Sequence, residues 1–524
     1  MYLYDIIYAI YMKKHSLSSY NPTRLHQNIG GIISKLRSER GITQKTFAEE
    51  LGTTQSAVAR MEAGQQNISS DMLDRISSIF ERDIVQTATG ALNIQITGNQ
   101  TLKGEVTTKT SKNAAVALLA ASLLNKNTTT LKNVPKIEEV HRLTEVLESI
   151  NVSVKWNGND LIITPPKKLN LKGLNTESGT RTRSIILFLG VLIHHSKKFA
   201  LPHPGGCKLG KRTIRPHLYA LEAFGVSITT DSNIHTVQHS GLSSNHIILY
   251  ESGDTVTENA LMAATLTEGV TEIRYASANY QVQDLCFFLE QMGVTIEGIG
   301  TTTLRVHGVS EIDTPVHYSL SEDPIESMFF ISTAVVTGSQ ITIKRAPIEF
   351  LELELLTLEK MGFTYTCTKQ YTSTNNRTKL VDITTKPSSL IALDEKIAPR
   401  PYPGLNIDNL PFFAIIATQA DGQTLIHDWV YENRAIYYKE LDKLGAETIL
   451  ADPHRLYVSG PTRLKPQEII CPPALRPAAI ILIGMLAANG TSTLRNIYSI
   501  NRGYEDLINR LNNLGASIEF IRSY

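Results

Sequence analysis

The sequence predicts an α/β protein made of six repeated helix–strand units, preceded by a small all-helical module. Three observations carry this. An apolar helix end, a turn with glycine in five of the copies, and a strand recur six times after Leu92. A long apolar helix leading to a Thr-rich strand interleaves with that motif. Before Leu92, residues Leu25 to Val85 read as short helices joined by tight turns.

The chain has 524 residues, enough for three or four domains at roughly 150 residues each. Its 42% hydrophobic and 19% charged content supports sizeable cores. A formal net charge of +1 gives no global attraction to nucleic acid or to an anionic membrane. Four cysteines, Cys207, Cys286, Cys367 and Cys471, are scattered without CxxC or metal-type spacing. Free thiols in a reducing cytoplasm, with no bound metal, are the expectation. Met1 to Met12 is apolar and tyrosine-rich, but Asp5 interrupts it, and Lys13 and Lys14 follow rather than precede it. That order is wrong for a signal peptide and the run is too short to span a bilayer, so 1–24 is read as a poorly ordered extension.

The helical module is expected over 25–85, with a linker at 86–90. Thr43 caps a helix that runs to Leu51. Gly52 to Ser56 form a turn and a second cap, and a further helix covers Gln55 to Glu62. Ala48, Leu51, Val58 and Met61 are the packing positions between them. Two helices joined by a short glycine-containing turn make a helix-turn-helix. The stretch from Thr43 to Gly64 closely resembles the phage-repressor family. In that family the second helix enters the major groove of double-stranded DNA. By that resemblance Gln55, Ser56 and Arg60 would meet base edges and Gln44 a phosphate. The module holds seven Lys/Arg against eight Asp/Glu, so counterion release adds little affinity. A dimerisation or protein-contact role remains the alternative.

The helix-end motif appears at Leu147–Val152, Leu221–Val226, Leu289–Val294, Leu358–Phe363, Leu441–Ala446 and Leu511–Ala516. A spacing of roughly 70 residues makes each unit a full supersecondary block. The turn residue should end its helix in the left-handed region. The interleaved helices are read as starting at Lys112-Asn113, Arg183, Glu258-Asn259, Glu326, Asn409 and Arg476. A buried helix leaves its first N–H groups unpaired and carries partial positive charge there. Several such ends converging on a cleft would make an anion site. For Glu258, Asn259 and Glu326 a simple structural role is preferred.

Pro204 to Arg212 reads Pro-Gly-Gly-Cys-Lys-Leu-Gly-Lys-Arg. Two glycines allow close backbone approach, and Lys208, Lys211 and Arg212 would favour the Cys207 thiolate. A thiol among cations suits a lid over an anionic substrate; a free cysteine in a basic surface turn is an equal reading of the segment alone.

The six units, the Gly-Gly-Cys loop, Ser111-Lys112-Asn113, Thr257-Glu258-Asn259, Tyr431-Glu432-Asn433-Arg434, Leu475-Arg476 and Arg502-Gly503-Tyr504-Glu505 together resemble the enolpyruvyl transferase family from about Leu92 to Tyr524. The resemblance implies a two-domain inside-out α/β barrel of six repeated units. One domain would hold 111–281, and the other 91–110 with 282–524. It implies transfer of the enolpyruvyl group of phosphoenolpyruvate to the 3-hydroxyl of UDP-N-acetylglucosamine, the first committed step of peptidoglycan synthesis, without cofactor. Phosphoenolpyruvate would sit on Lys112, Arg212 and Arg476. Asp323 would take the hydroxyl proton, and Cys207 would protonate phosphoenolpyruvate and react with fosfomycin. Asn113, Arg183, Asp408 and Arg434 would bind substrate or hold the cleft.

Departures from the family pattern cluster where the nucleotide should bind. The lid continues as Arg212-Thr213-Ile214-Arg215-Pro216-His217 in place of Arg-Pro-Val-Asp-Leu-His. Glu251 stands at a phosphate-contacting lysine position, with Asp254 close by and Arg215 as a candidate to compensate. Pro324 replaces an arginine after Asp323, and Cys367 to Arg377 is an insertion. Two rival readings follow: a different nucleotide sugar as acceptor, or a DNA-bound regulator, dimeric on a palindromic site, that uses the transferase body as a ligand sensor.

Overall fold

The computed structural model describes residues 92–205, 213–231 and 234–521. In the N-terminal module it describes 30, 33–34, 37–38, 40–63, 72, 75–76 and 79. Residues 1–24, the linker at 86–90, and Cys207, Lys208, Lys211 and Arg212 lie outside the described residues. The chain divides into an N-terminal unit and a large unit, Ile94–Phe520.

In the N-terminal unit, helices Gln44–Leu51 and Gln55–Glu62 form where the capping pattern placed them. The Thr43 hydroxyl accepts from the Thr46 amide and the Thr54 hydroxyl from the Ala57 amide. Gly52, at φ 67, makes the left-handed turn between the helices that an L side chain would resist. Phe47, Ala48, Leu51, Ala57, Val58 and Met61 form a small core with Ile33 and Ile76. Gln55, Ser56 and Arg60 are exposed on the second helix. Gln44, the candidate for a phosphate, donates to Glu62 Oε2 at 2.8 Å, and Glu62 also pairs with Arg37.

Among the described residues, the large unit holds six small sheets, one per repeat. Three use strands from 129–319. The first orders Val316–Ser319, Thr129–Lys132, Asp160–Thr164 and Ser153–Asn157. The second orders Lys198–Pro202, Ile234–His239 and Val226–Asp231. The third orders Thr295–Glu297, Thr303–Gly308, Gly269–Arg274 and His246–Ile248. The other three draw on Asn93–Thr97 and Lys103–Thr107 and on strands from Gln340 onward. The insertion at Cys367 to Arg377 adds the short strand Tyr371–Thr372 to the edge of Lys379–Lys386.

The repeat motif ends its helix as expected. Gly225, Gly293, Gly362, Gly445 and Gly515 have φ between 85° and 98°, and Asn151 takes the same place at 71° in the first copy. The buried helices lie inside each set of sheets. One apolar core runs from Ala115 to Leu320, and helices Pro324–Val336, Leu410–Ala417 and Leu475–Ala487 pack together in the other set. These helices are apolar on every face because protein surrounds them.

Three helix starts differ from the sequence reading by more than one residue, the smallest of these differences being Pro324–Val336, which begins two residues before Glu326. Gly253 is extended, so the helix begins at Asp254 and Glu258 falls in its second turn. Arg183 precedes a short 3-10 turn, Ser184–Leu187, followed by the five-residue helix Phe188–Leu192. The long helix expected there is missing because Gly190 packs directly on Asn259, whose Oδ1 accepts from the Gly190 amide at 2.8 Å.

Candidate active site

A cleft of about 660 Å³ opens in the large unit. The first turns of helices Lys112–Ala121, Asp254–Thr265, Tyr280–Gln291 and Leu475–Ala487 all line it. Four helix N-termini bring unpaired N–H groups and positive dipole ends to one place, which suits an anion. Lys112, Asn113, Arg183, Asp408, Arg434 and Arg476, predicted from sequence, all line this cleft.

The floor is held by paired charges. Ser111 caps its helix by accepting from the Ala114 amide at 3.2 Å, which fixes Lys112 at the first turn. Lys112 Nζ lies 4.0 Å from Glu139 Oε2, and Arg502 Nε lies 3.5 Å from the same oxygen. The other Glu139 oxygen accepts from the Thr182 and Ser184 hydroxyls at 2.6 and 2.8 Å. Burial opposes the charge on Glu139, but Lys112, Arg502 and those hydroxyls outweigh it and hold the carboxyl below its ordinary range. Asn113 Nδ2 donates to the Tyr280 hydroxyl at 3.1 Å, and Ser111 meets the same oxygen at 3.2 Å. Burial raises the Tyr280 phenol well above its ordinary value, so it stays protonated.

Arg476 enters from the second residue of helix Leu475–Ala487. It donates to the Tyr504 hydroxyl at 2.9 Å and to Asp408 Oδ2 at 3.4 Å. Arg434 is buried and grips Asp428 through Nε at 2.6 Å and a terminal nitrogen at 3.0 Å, while Tyr438 donates to the same carboxylate. Its remaining nitrogen is 3.7 Å from Asp408. Arg434 thus braces Asp428 and, with Arg476, flanks Asp408 at the cleft wall.

Asp323 caps helix Pro324–Val336, accepting from the Ile325 amide at 2.8 Å. Burial pushes its carboxyl up to about 6, against the pull of the Arg476 charge. Pro324 fits the first helical position, where its missing N–H costs nothing. Asp254 accepts from Ser277 at 2.5 Å and Asn279 at 3.0 Å, and burial raises its carboxyl. Beneath it, burial pushes Glu258 up to about 8, although Gln281 donates to Glu258 Oε1 at 2.9 Å.

At the mouth, Glu251 lines the cleft and is exposed. Arg215, the candidate to compensate for it, lines a separate hollow with His203 and His235. Gly205, at the root of the lid loop, lies so close to Thr180 that a Cβ would meet the Thr180 carbonyl oxygen at 1.6 Å. That approach requires glycine.

Sequence reasoning missed Glu139, Tyr280 and, as site residues, Arg502 and Tyr504; it named Asp254 only as a neighbour of Glu251. The motif Arg502-Gly503-Tyr504 was visible, but nothing local tied it to Glu139 or Arg476.

The profile of the family EPSP synthase (3-phosphoshikimate 1-carboxyvinyltransferase) matches residues 96–511. The chain belongs to this family of enolpyruvyl transferases. A helix-turn-helix profile matches residues 33–86. UDP-N-acetylglucosamine 1-carboxyvinyltransferase of Bradyrhizobium diazoefficiens is 32% identical over 431 residues, 81% of this chain and 97% of that protein. The enzyme of the same name from Treponema denticola is 32% identical over 424 residues, 81% of this chain and 98% of that one. Among solved structures, the enolpyruvyl transferase NikO from Streptomyces tendae has a TM-score of 0.69 at 23% identity, covering 83% of this chain and all of that one. That likeness concerns the fold. Among the described residues, no helix is long and apolar enough to cross a membrane.

Proposed function

We propose that this chain transfers the enolpyruvyl group of phosphoenolpyruvate to the 3-hydroxyl of UDP-N-acetylglucosamine, releasing phosphate, in the cytoplasm. The observation that carries the reading is the convergence of Lys112 and Arg476, each at a buried helix start, on one cleft, with Asp323 in reach of the Arg476 charge. The full-length curated relatives support the choice of acceptor.

In the first step Asp323 takes the proton of the sugar hydroxyl, whose oxygen bonds to C2 of phosphoenolpyruvate. The electron pair of the C2–C3 double bond takes a proton at C3 from the Cys207 thiol. The product is a tetrahedral adduct carrying a methyl group. In the second step that methyl returns a proton to the Cys207 thiolate, the double bond reforms and the C2–O bond to phosphate breaks. The proton held by Asp323 leaves with phosphate. Lys112 and Arg476 stabilise the phosphate and carboxylate charge in a site whose donors are already oriented. Cys207 and Arg212 take their roles from their place in the Gly-Gly-Cys loop.

The body is read as two lobes facing across the cleft. We read the second crossing near Leu320 rather than at 281–282; this is supported by Thr303–Gly308 pairing with Gly269–Arg274, Thr295–Glu297 pairing with Thr303–Gly308, and Val316–Ser319 pairing with Thr129–Lys132. Phosphate release that requires both phosphoenolpyruvate and UDP-N-acetylglucosamine tests the activity. No release with the pair would sink it, and release with another nucleotide sugar alone would move the acceptor.

The N-terminal module is read as a DNA reader, because Gln55, Ser56 and Arg60 stand exposed on its second helix. Its near-neutral charge favours a dimer on two half-sites. Selection of bound genomic fragments should enrich a palindrome that Gln55→Ala no longer selects. No enrichment at low salt would leave the module as a protein contact.

A further inference from the structure

We propose that Tyr250, Tyr275 and Trp429 form an aromatic clamp that stacks on the nucleobase of the acceptor and so favours acceptors that carry a flat base over bare sugar phosphates. This rests on reading the cleft as a nucleotide-sugar site. All three side chains line the cleft, and they are 75%, 51% and 49% exposed. Large aromatic side chains are seldom left this bare in one concavity unless a ligand covers them.

Their placement is built. Tyr250 and Tyr275 follow the ends of two parallel strands, His246–Ile248 and Gly269–Arg274, which pair with Arg274 opposite Ile248. The Leu249 amide donates to the Arg274 carbonyl at 3.0 Å, so the two tyrosines leave neighbouring strand ends. Tyr275 has φ 61°, a left-handed conformation that an aromatic residue resists. Such strain persists where the surroundings fix it, and it concentrates at ligand sites. Tyr250 meets the ring of Tyr219 edge-on at 5.7 Å. Trp429 comes from the other set of sheets, and its Nε1 donates to the Pro399 carbonyl at 2.9 Å, which anchors the ring.

The cleft thus has cations at its floor, Lys112 and Arg476, and flat π faces at its mouth. A matching ligand is anionic and sugar-like at one end and a flat ring at the other. A nucleoside diphosphate sugar has that form. Stacking accepts any base, since every base has a π face. The clamp can therefore hold the base while Glu251 weakens the contact with its phosphates.

The test uses the chain's two tryptophans, Trp156 and Trp429. Trp156 lies elsewhere, against His141 and Lys136. In full-length W156F protein, Trp429 fluorescence is titrated with UDP-N-acetylglucosamine, UMP, AMP and N-acetylglucosamine 1-phosphate. Quenching by the base-bearing ligands and none by the sugar phosphate is expected. A kinetic arm uses Tyr275→Asn, since asparagine tolerates the left-handed backbone, with Tyr275→Phe as the conservative control. The KM for the nucleotide sugar should rise by roughly 5–100-fold in the asparagine variant and return with phenylalanine, while the KM for phosphoenolpyruvate holds. Equal quenching by the sugar phosphate, or an unchanged KM in Tyr275→Asn, overturns the clamp. Quenching by UMP without any phosphate release supports the clamp and counts against the proposed transfer instead.

Discussion

The floor and the mouth of the cleft hold their charges in opposite ways. At the floor, Lys112, Arg476 and Arg502 each face a buried carboxylate or a tyrosine hydroxyl, so their geometry is fixed before substrate arrives. At the mouth, the lysine expected for a phosphate is Glu251, and the bare surface is aromatic. Chemistry on phosphoenolpyruvate needs the same charges whatever the acceptor, and a buried charge stripped of its partner is costly. The mouth touches only the part of the acceptor that does not react, so its residues can change while the reaction stays. Floor substitutions should therefore lower turnover, and mouth substitutions should move the KM of the acceptor.

The sharpest way to break that contrast is Asp323→Asn. Loss of the general base should lower kcat on the order of 10²–10⁴-fold, with little change in the KM of phosphoenolpyruvate, measured by phosphate release. In the parent protein Asp323 must be ionised to accept the proton. Its carboxyl sits at about 6, so kcat should fall as pH drops through that value. A flat profile between about pH 5 and 8 would remove Asp323 from the role.

Arg476→Ala comes next. It deletes a guanidinium that lines the cleft and holds Asp408 and Tyr504. A loss of about 2–4 kcal/mol in kcat/KM is expected, with Arg476→Lys recovering part of it. A rise in acceptor KM alone, with kcat intact, would place Arg476 at the mouth instead.

Glu258 sharpens the comparison through stability. Its folded value of about 8 lies above its ordinary 4.5, so the proton is bound more tightly in the folded chain. The stabilisation is full below about 4.5 and is lost as pH rises through about 8. Glu258→Gln mimics the protonated form and should flatten that loss, gaining up to a few kcal/mol near pH 9 in denaturant melts. A variant with the same pH slope as the parent would show that Glu258 does not set it.

The smallest effect is expected at the mouth. Glu251→Lys restores a cation on an exposed side chain. It should lower the KM for UDP-N-acetylglucosamine a few-fold at low salt and fade as salt is raised. An equal change in the KM of phosphoenolpyruvate would break the division between mouth and floor.

Much of the floor was legible because its signals are local. A capping serine before Lys112, the left-handed turn residues from Asn151 to Gly515, and the apolar runs after Lys112 and Arg476 each fit in a short window. What joins them was not legible. Glu139 meets Arg502 and Asp408 meets Arg476 across long separations, and sequence pattern carries no such pairing. Nothing near the Tyr431-Glu432-Asn433-Arg434 motif signals that Arg434 also grips the buried Asp428. Asp323 read as a base, and its second role as a helix cap follows only from the extended backbone before Pro324. The helix at Asp254 was placed four residues late because Gly253, not a polar residue, precedes it. Gln44 has the residue type for a phosphate contact, but the ion pair between Arg37 and Glu62 draws it inward.

Transfer at this floor should pass through an adduct with a methyl group at C3. Running the reaction with UDP-N-acetylglucosamine and phosphoenolpyruvate in deuterium oxide, and reading the product by proton NMR, checks this. Protonation at C3 from an exchangeable group puts deuterium into that methyl, and the elimination then leaves part of it behind. Deuterium in the vinyl carbon of the enolpyruvyl product, together with phosphate released mole for mole, is the expected result. A product whose vinyl group keeps only protium, or no product at all, would contradict it.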